Sequence, residues 1–300
     1  MTPEQFQATL KQPAKPLHVV VAGATIAARR WAKPHASGIL LVHGHAAHSH
    51  WWDHIAPILN RQFDVTAIDL SGAGESDHRD FYAPGLFAEE LRAVTAAVGY
   101  KDPIIVGHSF GGTLARIACW LYPNWAKQLV LVDSVIAPIG ARPPASNRQD
   151  SLSSLNIFPE PRPNRLYQSL AVATKRFRLK PRQPLTHPFI IDHIAAHSVR
   201  ETARGFEYKL DRQLFKKLMP TLCLPKAGTM IQELALPMAA ILGDESAFFN
   251  DESSAGRANR QVIQQLFDAN CVRTVQRAHH HILLDQPLAL TEALFELCGP

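Results

Sequence analysis

Five short apolar runs set the tightest limit on how this chain can fold. Residues 38–43 (GILLVH), 63–69 (FDVTAID), 103–107 (PIIVG), 129–133 (LVLVD) and 237–243 (PMAAILG) are unbroken stretches, each ending in Gly, Asp or His. Continuous rather than alternating apolarity predicts strands buried on both faces, and therefore a parallel sheet covered by helices. Helix-like segments at 51–60, 86–98 and 113–122 lie between the runs. In the last of them Leu114, Ile117, Ala118 and Leu121 share one helical face. Residues 17–22 and 25–31 flank Gly23 and predict a hairpin. The expected fold class is α/β, with a doubly wound, mostly parallel sheet.

The alternation stops after Asp133 and resumes at Pro237. Residues 141–182 hold nine basic groups against only Asp150 and Glu160, so the net charge of +5 comes from one stretch on an otherwise mildly acidic chain. Prolines between 143 and 181 mark the same change of regime, and residues 187–218 look helical. The expected organisation is a core of residues 1–137 and 226–300, with a helical cap or lid at 138–225 inserted after the sixth strand.

Composition removes several classes. At 46% hydrophobic and 19% charged residues the chain reads as soluble and globular. No apolar run approaches the roughly 18 residues of a membrane span. The polar start through Pro16 lacks the apolar region of a secretory signal, and Cys119, Cys223, Cys271 and Cys298 form no CxxC pair. These features predict a cytoplasmic protein with reduced thiols. Aromatic residues are sparse among the arginines of the insert, which argues against nucleic acid. Its charge instead suits an anionic or amphiphilic small molecule or a lipid surface.

Gly107-His108-Ser109-Phe110-Gly111 fits G-x-S-x-G between an apolar strand and an amphipathic helix. A serine on so sharp a turn takes strained backbone geometry, and small residues two positions either side leave it room. His43-Gly44-His45 ends an earlier run, where a backbone N–H can complete an oxyanion hole with that of Phe110. Near the C-terminus, His279-His280-His281 follows a predicted strand at 272–276 and can supply a general base.

Taken together, LLVHGHAAHSHWWDHIAPIL, DLSGAGESD, VGHSFGG, LVLVD and HHHILLDQP resemble the α/β-hydrolase superfamily, in the family's order, from about residue 18 to 290 outside the cap. The resemblance implies Ser109 as nucleophile and a catalytic histidine seven residues before Pro287, which is His280. A histidine, His279, stands where relatives carry glycine, so His279 and His281 remain alternatives. Most relatives place the acid as G-x-x-D after the seventh strand, a position held here by Ser246; a subset places it after the sixth. Asp133 is therefore the favoured acid, with Asp244 as the alternative. The implied chemistry is hydrolysis of carboxylic esters through an acyl-enzyme, with no metal and no organic cofactor. Carbon–carbon bond hydrolysis, lactone opening, cofactor-free lyase chemistry or ligand binding without turnover would use the same fold. His48-x-His50-x-x-Asp53-His54 comes near a metallo-hydrolase pattern but has one residue too many, so no metal is expected there.

Overall fold

The computed structural model describes residues 1–136, 164–219 and 224–299. An eight-stranded sheet forms the centre, in the order β1-β2-β4-β3-β5-β6-β9-β10. β1 (Lys15–Val21) and β2 (Ala24–Trp31) form the expected antiparallel hairpin. β2 also runs antiparallel to β4 (Asp64–Ile68). β4, β3 (Gly38–Val42), β5 (Ile104–His108), β6 (Gln128–Val132), β9 (Met238–Gly243) and β10 (Val272–Val275) are parallel.

The apolar runs are continuous because both faces of the sheet are covered. Within β3, Ile39 and Leu41 join the core on one face, and Leu40 and Val42 join the core on the other. One face is covered by α1 (Pro3–Leu10), α2 (Ala56–Leu59), α10 (Ile282–Asp285) and α11 (Pro287–Cys298), the other by α3 (Pro84–Ala97), α4 (Phe110–Leu121), α8 (Ala227–Glu233) and α9 (Ser254–Leu266). Cys119 and Cys298 lie in these cores, where burial pushes both thiols up to about 12. Cys223 lies outside the described residues. None of the described helices is long and apolar enough to cross a membrane.

Two local expectations change. The predicted helix at 51–60 is a 3-10 turn at Ser49–Trp52 followed by α2 alone. Pro57 fits this division, since it has no N–H to donate back to the preceding turn and is tolerated in the first turn of α2. The stretch 187–218 is not one helical run. α6 (Pro188–His197) leads into an antiparallel ribbon, β7 (Val199–Thr202) and β8 (Gly205–Tyr208). Gly205, at φ 124°, makes the turn in a conformation that an L side chain resists.

Among the residues of the predicted cap, 164–219 and 224–225 are described; the longer stretch holds α5 (Leu170–Lys175), α6, the ribbon and α7 (Leu214–Lys217). They are tied to both sides of the sheet's carboxyl edge. Gln183 and Thr186 donate to Asp285, His193 to Asp53, and Tyr82 to Asp211. Arg142, Arg148 and Arg162 of the basic stretch lie outside the described residues.

The loop after β4 buttresses the loop after β3. Buried Asp69 accepts the amides of Ser49 at 2.6 Å and Glu75 at 3.0 Å, while Ser76 donates to the Asp69 carbonyl at 2.5 Å. A Cβ on Gly74 would lie 2.2 Å from the Asp69 carboxyl carbon, so this approach admits only glycine. Asp69→Ala leaves two amide donors unpaired and is expected to lower stability by roughly 2–4 kcal/mol. Urea unfolding checks this: an unchanged midpoint would show that water satisfies both amides.

Candidate active site

Ser109 sits between β5 and α4 at φ 53° and ψ −120°, outside the regions that side chains prefer. Neighbouring glycines make the turn possible. A Cβ on Gly107 would meet the Gly112 Cα at 2.5 Å, and one on Gly111 would meet the His43 carbonyl oxygen at 2.4 Å. The Ser109 amide donates to Val132 at 2.9 Å and the Ser134 hydroxyl to the Ser109 carbonyl at 2.8 Å, pinning the turn to the end of β6. Such over-determination is what holds a strained residue in place.

The structure brings together Ser109, His280 and Asp133. The Ser109 Oγ lies 3.0 Å from His280 Nε2, and His280 Nδ1 lies 2.7 Å from Asp133 Oδ1. A carboxylate only accepts, so Nδ1 carries the proton and Nε2 faces the serine hydroxyl as acceptor. Asp133 is fully buried, with φ 44°, and also receives the Gly243 amide at 2.9 Å and the Ser246 hydroxyl at 2.7 Å. Ser246 was legible only as a missing acid; its role as donor to Asp133 follows from the fold. Asp244 accepts instead from the Ala278 amide at 3.1 Å, and so braces the histidine loop through its backbone.

The other histidines of the triplet point elsewhere. His279 contacts Asp285 at 3.0 Å and Glu245 at 3.2 Å. His281 is buried against Trp51, and burial pulls its imidazole down to about 3. His108 donates through Nε2 to the His280 carbonyl at 3.0 Å, and Phe248 packs edge-on against the His280 ring at 4.7 Å.

The backbone amides of His45 and Phe110 flank this turn, and among the described residues neither meets an acceptor. Gly44 allows the approach, since a Cβ there would lie 3.0 Å from His108 Nδ1 and 3.2 Å from Ser109 Cβ. His43 accepts the Leu70 amide through Nε2 at 3.1 Å, so its Nδ1 donates to the Gly44 carbonyl at 2.7 Å. This bond fixes the loop that carries the His45 amide.

The remaining histidines of the 43–54 stretch serve packing. His54 donates to the Leu283 carbonyl at 2.7 Å and His48 to Ser198 at 2.9 Å; Ser198 passes its own proton to the Ile194 carbonyl at 2.8 Å. His50, Asp53, His193 and His197 converge with ligand atoms within 4.8 Å of one another. Asp53 is already engaged there: Arg29 holds one oxygen, and His50 at 2.7 Å and His193 at 2.8 Å donate to the other. A cation would have to displace those protons beside a guanidinium, so the cluster reads as an ion network fastening α6 to the 3-10 turn.

Burial holds four imidazoles neutral: His45 and His54 fall to about 4, and His48 and His108 lie well below the ordinary value. In the unfolded chain each takes a proton near pH 6.5, so acid favours the unfolded state and stability is lost as pH falls below that value. For His54 and His281 alone, the loss at pH 5.5 is expected to be about 3 kcal/mol relative to pH 8. Urea midpoints at the two pH values check this; equal midpoints would mean that these rings are protonated in the fold.

Comparison with known proteins now adds to the geometry. Residues 39–188 match the family model described as alpha/beta hydrolase fold. A serine hydrolase-like protein of Danio rerio is 23% identical over 296 residues, covering 97% of this chain and 90% of the relative. One from Homo sapiens is 32% identical over 124 residues, covering 39% of this chain and 60% of the relative. Among solved structures, a thioesterase domain from the curacin biosynthetic pathway superposes with TM-score 0.73 at 18% identity, covering 94% of this chain and 99% of that one. A carboxylesterase from Bacillus subtilis does so with TM-score 0.64 at 17% identity, covering 99% and 97%.

Proposed function

We propose, on the premise that this chain belongs to the alpha/beta hydrolase fold family, that it is a serine hydrolase of carboxylic esters. The observation that carries the reading is the hydrogen-bonded line from Ser109 Oγ through His280 to buried Asp133, at a strained strand-to-helix turn. The names of the serine hydrolase-like relatives support it at the level of the class.

The chemistry follows from the positions. Ser109 Oγ attacks the ester carbonyl while His280 Nε2 takes its proton, and Asp133 stabilises the imidazolium formed. The carbonyl oxygen becomes an oxyanion held by the amides of His45 and Phe110, beside the N-terminus of α4. His280 returns the proton to the leaving alkoxide, giving an acyl-enzyme and a free alcohol. Water, deprotonated by the same ring, then releases the acid and restores the serine. No step calls on a metal or an organic cofactor. Epoxide opening and halide displacement through an alkyl-enzyme ester need a carboxylate at the turn, and Ser109 does not supply one.

A fluorophosphonate probe is expected to label the wild-type protein at Ser109 and to leave Ser109→Ala unlabelled. Equal labelling of the two would overturn the assignment, as would a protein inert to the probe and to p-nitrophenyl esters from acetate to palmitate. Asp133→Asn is expected to lower kcat about 10⁴-fold by removing the acceptor that orients the imidazole. Asp244→Asn should cost less than about tenfold, since its side chain meets only backbone. The reverse order in steady-state kinetics would move the acid to Asp244.

The donor from Ser246 makes a finer test. Ser246→Ala is expected to lower kcat by roughly threefold to thirtyfold with KM unchanged, because one hydrogen bond that positions Asp133 is lost. A changed KM with kcat intact would place Ser246 in substrate binding instead.

A further inference from the structure

A cavity of about 230 Å³ opens beside the proposed oxyanion loop. Its inner wall is Ala46, Ala47 and His48, which directly follow His45. Its outer wall comes from the excursion between β6 and β9 and carries Arg176, Arg178, Lys180, Lys209 and Arg212. No carboxylate lines it among the described residues.

Lys209 is paired with Glu75, but Arg176, Lys180 and Arg212 have no ion-pair partner among the described residues. Burial holds the His45 imidazole down, at about 4, and the charge of Lys180 adds to that effect. One cation of the cavity wall thus lies close enough to act on the loop that carries the proposed oxyanion amide. The two also share wall residues. A narrow recess containing His45 and Phe110 shares Ala46, Ala73 and Leu210 with the cavity.

Uncompensated cations in a concave wall repel one another and raise the local concentration of anions. A space of this size suits a small charged group rather than a long acyl chain. We propose that this cavity is an anion subsite, so that the preferred esters carry a carboxylate or phosphate a few bonds from the scissile carbonyl. Guanidinium groups match the paired oxygens of either anion. The proposal rests on the serine-esterase reading and names the substrate class of that same site.

Paired substrates test it. One pair is mono-p-nitrophenyl glutarate and p-nitrophenyl butyrate, with the charge on the acyl side. The other set is 4-acetoxybenzoate, 4-acetoxyphenyl phosphate and methyl 4-acetoxybenzoate, with the charge on the leaving group. After correction for each ester's rate with hydroxide, kcat/KM is expected to favour the anionic member of at least one set about tenfold or more. The favoured arm tells carboxylate from phosphate and acyl side from alcohol side. In the double variant Arg176→Gln, Lys180→Gln the anionic-to-neutral ratio should fall about tenfold or more, a ratio independent of how much enzyme folds. The wild-type ratio should also shrink as salt rises. Fluorophosphonate labelling of Ser109 with a charge-blind profile, or a ratio unmoved in the double variant, would overturn the subsite alone. No labelling and no turnover of any ester would instead remove the parent reading.

Discussion

A buried carboxylate is costly unless its lone pairs are filled, and the carboxyl edge of this sheet is organised around filling those of Asp133. Its donors come from three places: the Gly243 amide at the end of β9, the Ser246 hydroxyl beyond it, and the His280 ring after β10. Its own amide donates to Ile241 at 2.8 Å. One side chain thereby fixes the relative heights of β6, β9 and the histidine loop. The serine turn is fastened to the same strand through Val132 and Ser134, so Ser109, His280 and Asp133 share one frame.

The excursion after β6 is part of that frame. Gln183 accepts the His281 amide at 2.9 Å and donates to Asp285 at 3.0 Å; Asp285 in turn receives the His279 amide at 2.9 Å. The loop that aims His280 is thus bounded on one side by α10 and on the other by the excursion. On the opposite flank, Asp211 accepts from Tyr82 and Lys217 at 2.8 Å, and its amide donates to the Gly72 carbonyl at 2.8 Å. Removing the excursion would uncover the cavity and also release the histidine loop.

Much of this was legible in the sequence because burial on both faces leaves an unbroken apolar signal, and because a tight turn leaves glycines. The strands and the serine turn follow from those two facts. The N-terminal helix α1 was passed over, although Thr2 and Gln5 stand at the spacing of a capping box, whose reciprocal bonds the structure contains. The ribbon at 199–208 was hidden because Val199-Arg200-Glu201-Thr202 is too short for its alternation to stand out beside a helix. The choice among His279, His280 and His281 and between Asp133 and Asp244 turns on side-chain direction, which spacing alone does not encode. The ion network around Asp53 joins residues 140 positions apart, a distance no local pattern bridges.

The contact between Ser246 and Asp133 bears on how an acid can change strands. Asp133 meets the imidazole directly and Ser246 meets Asp133, so the two positions lie side by side at neighbouring strand ends. A chain carrying carboxylic acids at both would set them in direct contact, where both cannot hold a negative charge at once. An evolutionary path between the two addresses must therefore pass through a protonated pair, or through a stage with neither acid and weak activity. The hydroxyl at position 246 adds a cost to losing Asp133, because its buried donor would be left without this acceptor.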